Sequence, residues 1–69
     1  MKFFEFTLID GRREKPVLVR FDTIAMVYPW EGTSGKTYID IGSRAVVVKE
    51  PFDKVSALIL EEMNNERDI

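Results

Sequence analysis

The chain has 69 residues, 45% hydrophobic and 32% charged, the composition of one small globular domain rather than of a disordered segment. Ten basic against twelve acidic residues leave a formal charge of −2, with no electrostatic excess to draw the chain to nucleic acid or an anionic membrane. It has no Cys and no His, which excludes disulfides, thiolate or imidazole metal ligands, a thiol nucleophile and Ser-His-Asp chemistry at Ser34, Ser43 or Ser56.

The opening "KFFEFTLI" alternates Phe4, Phe6 and Leu8 against Phe3, Glu5, Thr7 and Ile9. That period predicts a first strand over about 2–9 with one strongly apolar face. The same segment is too short, and too interrupted by Glu5, for an export signal. No apolar run approaches the ~18 residues of a membrane span. The expectation is a cytoplasmic chain without membrane insertion. Asp10-Gly11 is a turn signal. "RREK" then reads as loop, with Pro16 at the edge or start of a second strand, about 16–20. Phe21-Asp22-Thr23-Ile24 reads as a corner. A third strand, about 24–29, weakens at Pro29, which has no N–H for a ladder.

The next stretch, "EGTSGKTY", ends in the Gly-Lys-Thr of a P-loop, G-x-x-x-x-G-K-[ST]. Trp30 stands where that motif needs its first glycine. Thr37, Ile39 and Ile41 then alternate against Lys36, Tyr38 and Asp40, a strand period. A P-loop needs a helix there, because its N-terminal amides hold the phosphate. No nucleotide is expected, and "EGTSG" reads as a hairpin loop into a fourth strand, about 36–41. Gly42-Ser43 turns the chain into a fifth strand, about 44–49.

The period then changes. Phe52, Val55, Leu58, Ile59 and Met63 fall at helical spacing, a stripe expected to pack on the core. Pro51 suits the first helical position and Asp53 opposes the positive end of the helix dipole, giving a helix over about 51–64. Glu61, Glu62 and Glu66 crowd the negative end, which predicts fraying from Asn64. Adjacent Glu61 and Glu62 point about 100° apart, so they read as a solvated face rather than a catalytic pair. Short connections imply antiparallel neighbours. The expected fold class is α+β: a small curved antiparallel sheet or partly open barrel of about five strands, followed by one C-terminal helix.

The stretches "FTLIDG", "VLVRFDTIAMV" and "KTYIDIGSRAVVVKEPFDKVSALI" resemble the small flagellar and swarming-motility proteins of the FlbD/SwrD type. Those run as strand, Asn/Asp-Gly turn, strand, short corner, strand, Thr-x-Ile strand, Gly turn and a Val-Val-Lys-Glu segment into a helix. The likeness covers most of residues 6–59 and is sharpest at "VVVKEPFDKV", Val46 to Val55. It implies this architecture and a bacterial motility role. The chain differs in its longer "GRREKP" segment and in "YPWEGTSG", which replaces a short Pro-Asp-Thr turn. The strands around the "D-I" corner are also similar to the core of LytTR-type DNA-binding domains. That family carries a basic DNA-contacting segment after its leucine-rich helix, whereas the helix here ends in acidic residues.

Two sets of residues stand out as candidate sites. Tyr28, Pro29 and Trp30 form an aromatic cluster beside the Gly-rich loop, and Arg12, Arg13 and Lys15 a basic one. Trp30 reads either as a lid on the open end of a small barrel or as a partner contact, with Tyr28, Arg12 and Arg13 beside it. Arg12, Arg13 and Lys15 read first as a solvated hairpin tip, with contact to an anion or acidic partner as the alternative. The helix needs only Phe4, Phe6, Leu8, Val17, Val19, Ile39, Ile41, Val46 and Val48 as its partners. Phe3, Ile9, Leu18, Tyr38 and Val47 are then surplus, and Phe3, Leu18, Tyr38 and Val47 become candidates for self-association. A tightly closed barrel, whose interior takes some of these residues, is the competing account. The sequence points to a non-enzymatic adaptor or regulatory domain with no cofactor, an unidentified protein partner and a homo-oligomeric state, a dimer being favoured. A nucleic-acid-binding module is the alternative, disfavoured by the charge.

Overall fold

Glycines and prolines decide where the strands of this domain end and where its sheet stops. The computed structural model describes residues 2–30 and 35–67. Gly11 lies at φ +63° and Arg12 keeps a negative φ. Glycine in the first of two central positions is the type II′ pattern that matches strand twist. The turn therefore needs only Gly11 and Arg12, and "REK" joins the strand instead of the expected loop. Strand β1, Phe3–Asp10, and strand β2, Arg13–Arg20, pair from Phe3↔Arg20 to Asp10↔Arg13.

A 3-10 turn, Phe21–Thr23, makes the corner, with Thr23 Oγ1 donating to the Arg20 carbonyl at 2.7 Å. Three strands of four residues follow as a meander: β3, Met26–Pro29, β4, Thr37–Asp40, and β5, Ala45–Val48. Gly42, at φ +95°, turns β4 into β5, and Asp40 Oδ1 accepts its N–H at 2.8 Å. The sheet order is β2-β1-β5-β4-β3, antiparallel throughout. That is the order of a five-strand barrel opened between β2 and β3.

Both open edges carry a proline. The Phe21 N–H donates to the Lys2 carbonyl at 2.8 Å, so even-numbered residues of β1 turn their backbone groups to β2. Thr7 turns the other way, and its carbonyl accepts from Lys49 N–H at 2.8 Å. Its cross-strand partner Pro16 then points its nitrogen at the open edge. Trp30 N–H donates to the Lys36 carbonyl at 3.0 Å, which puts the Pro29 nitrogen on the open edge of β3. Neither proline costs a ladder bond, and each blunts an edge against strand addition.

The buried apolar core is Phe4, Phe6 and Val19 from the hairpin, Ile39 and Val48 from the meander, and Val55 from helix α1, Phe52–Arg67. All six lie on the faces that alternation assigns to the interior. Phe52, Leu58 and Ile59 are half-buried, but Met63 is 49% exposed, against the expectation that it packs on the core. Ile59 is the last helical residue packed on the core, and the helix runs on to Arg67, past the expected end at about residue 64.

Strands β1 and β5 share one rung, Leu8↔Val48. Past it, Glu50 takes over the joint. Its carboxylate accepts the Thr7 N–H at 2.9 Å and the Thr7 hydroxyl at 3.0 Å, and its carbonyl accepts the Thr37 hydroxyl at 2.7 Å. A side chain thus continues the ladder where the backbone turns away toward Pro51.

Candidate functional site: the outer face of the sheet

The faces turned from the core carry Phe3 and Ile9 on β1, Leu18 on β2, Met26 and Tyr28 on β3, Tyr38 on β4 and Val47 on β5. Register sets Tyr28, Tyr38 and Val47 in one row across three strands. The Leu8↔Val48 rung places Ile9 beside Val47. Tyr38 sits at the centre of an aromatic group, its ring 5.1 Å from Tyr28 and 4.7 Å from Trp30. Trp30 is half-buried against Tyr38 and stands outside the core cluster. It lies on the outer face, not over the barrel's interior.

At the end of this row is an open cleft of about 360 Å³, with Ile9, Arg12, Glu14, Lys36 and Lys49 among its lining. The Thr37↔Val48 rung explains the two lysines: the residues just beyond it, Lys36 and Lys49, face each other on the outer side. The type II′ turn supplies Arg12. Lys49 Nζ stands 3.3 Å from Glu14 Oε1, both groups exposed. Among the described residues Arg12 and Lys36 have no ion-pair partner. Arg13 does not join them. It opens β2 opposite Asp10, and Lys15 pairs with Asp10 at 3.6 Å, so the expected basic cluster is divided by the turn.

Phe3 and Leu18 are diagonal neighbours, 47% and 64% exposed. Six residue steps along extended β1 carry the chain from Phe3 to Ile9, about 20 Å at strand rise. The self-association set Phe3, Leu18, Tyr38 and Val47 therefore shares one face but forms two patches. Sequence reasoning did not single out Lys36, Lys49 or Glu50. The first two had a signal in the outward parity they share with Tyr38 and Val47.

The Gly-Lys-Thr segment has a structural place. Gly35, at φ +92°, turns the chain, Lys36-Thr37 leads into β4, and Thr37 is fully buried with its hydroxyl satisfied by the Glu50 carbonyl. The rest of the expected loop, Glu31 to Ser34, lies outside the described residues. Among the described residues no three Asp or Glu side chains are grouped to hold a metal, and no helix is long and apolar enough to cross a membrane. No family model, curated protein or solved structure matches the chain.

Proposed function

We propose that the chain is a non-enzymatic binding domain, an adaptor or regulatory part that works by protein–protein contact and associates with itself through the outer face of its sheet. The observation that carries this reading is an outer face rich in Phe3, Leu18, Met26 and Tyr28, each at least 39% exposed, on a sheet whose two edges are both blunted by proline. Strand addition is the disfavoured route to a partner, which leaves the face. Burying one such side chain is worth about 1.5–3 kcal/mol, so a few per subunit offset the entropy of association. Light scattering at tens of micromolar should return a mass of at least a dimer, and Phe3→Glu or Val47→Lys should lower it. A wild-type mass near 8.0 kDa at those concentrations refutes the reading.

The aromatic group beside Arg12, Lys36 and Lys49 favours a second reading, a platform for single-stranded nucleic acid, in which bases stack on rings and cations follow the backbone. The net acidity of the chain sets the expectation at no better than ~10⁻⁴–10⁻⁶ M in an anisotropy titration. Sub-micromolar, salt-steep binding lost in Arg12→Glu/Lys36→Glu would put this reading first. A cytoplasmic role in motility, as the FlbD/SwrD resemblance implies, belongs to the first reading. Unchanged swarming in a deletion strain would remove it.

A further inference from the structure

We propose that copies of the chain join head to tail, the acidic end of α1 in one copy seated on the aromatic and cationic end of the sheet in the next. This rests on the reading that the outer face receives a second copy, and it names the surface of that copy which docks.

Charge is divided along the chain. Through Glu50 there are eight basic and seven acidic residues, and after it two basic and five acidic. Glu61, Glu62 and Glu66 stand toward the negative end of the helix dipole, a placement the dipole itself opposes. Among the described residues none of the three forms an ion pair. Leu60 and Met63, beside them in the helix, are 58% and 49% exposed. The helix end is thus apolar and acidic, with neither property satisfied among the described residues.

The other pole has the complementary pair of properties. Ile9, Val47, Tyr38 and Trp30 supply apolar and aromatic surface, and Arg12 and Lys36 supply cations without an ion-pair partner among the described residues. The two surfaces lie toward opposite ends of β1. Glu61 and Glu62 border a cleft with Phe3, whereas the lysines border one with Ile9 and Gly11. They therefore lie apart on a molecule 42 Å long and 19 Å across. Docking two cationic ends together would set Lys36 against like charge. Docking a cationic end on an acidic end pairs both charge and apolar area. Such a contact uses different surfaces on the two partners, so it repeats along a chain of copies or closes into a ring, rather than stopping at a two-fold dimer.

The test is sedimentation velocity across protein concentration at low and high salt, on the wild type and two charge-reversal variants. Lys36→Glu/Lys49→Glu alters the head and Glu61→Lys/Glu66→Lys the tail. Wild type should grow past dimer with concentration and shrink as salt screens the contact. Each variant should associate at least about tenfold more weakly, with an unchanged circular dichroism spectrum, and mixing the two should restore association because their reversed charges match. A dimer that ignores salt and both variants but dissociates on Phe3→Glu overturns the head-to-tail contact and leaves self-association standing. A monomer at every concentration overturns both. A monomer whose cleft binds an oligonucleotide, lost in Lys36→Glu/Lys49→Glu, overturns both in favour of nucleic acid.

Discussion

The β1–β2 hairpin and the β3–β4–β5 meander are built on different scales. The hairpin pairs two strands of eight residues around a two-residue turn, whereas each ladder of the meander has four rungs. Between them the sheet has one rung, Leu8↔Val48, and then the Glu50 carboxylate. The core is shared differently: three buried residues come from the hairpin, and Ile39, Val48 and Val55 come from the meander and helix. Backbone pairing makes each half, and a short stretch of pairing, in which Lys49 N–H donates to the Thr7 carbonyl at 2.8 Å, joins the halves together with side chains. The sheet is thus two local units held by a shared core, one short β1–β5 pairing and one acidic joint.

The strongest test of that division is the ring most enclosed by both halves. Phe6 is 1% exposed, and Phe6→Ala should cost about 3–5 kcal/mol in urea unfolding, with both halves lost in one transition. Two separate transitions would show that the halves are stable apart. Next in size is the joint. Glu50→Ala removes two hydrogen bonds to a carboxylate and should cost about 1.5–3 kcal/mol. Hydrogen exchange should show the Thr7 amide losing protection while the Phe6 and Leu8 amides, which face β2, keep theirs. Equal loss across β1 would mean that the joint holds the hairpin itself. The smallest effect belongs to a turn within one half. Gly42→Ala places a Cβ at φ +95° and should cost about 1 kcal/mol, read as a lower midpoint with an unchanged slope.

The division is only partly legible in the sequence. Alternation marks Phe4, Phe6, Val19, Ile39 and Val48 because each strand has one wet face and one dry face, and the helical stripe marks Val55. Arg13, Glu14 and Lys15 carry no such signal. They lie in an edge strand, exposed and polar, and only the economy of the II′ turn puts them there. Thr37 is buried because its hydroxyl is satisfied, a fact that hydropathy cannot express, although its parity with Ile39 was visible. Glu50 is the hardest case. Its partners are Thr7 and Thr37, 43 and 13 residues away, and no local pattern connects them. The outer face is similar: Tyr28, Trp30 and Tyr38 drew attention as aromatics, but the pairing of Lys36 with Lys49 follows only from register. Met63 fits the helical stripe yet stands clear of the core, since periodicity cannot tell how far the core extends beneath a helix.

The Glu50 joint also bears on the order in which the molecule assembles. The hairpin closes with a turn of two residues and the meander with short loops, whereas the bond from Thr7 to Glu50 spans 43 residues. Closing a flexible loop of that length costs about 3 kcal/mol in chain entropy, a cost the local ladders do not carry. The free edge of β1 must therefore stand unpaired until almost three-quarters of the chain exists to cover it. If both halves form before they meet, the joint is made on the native side of the folding barrier. Glu50→Ala should then speed unfolding and leave the folding rate nearly unchanged in a stopped-flow chevron, and a slower folding limb would place the joint in the nucleus.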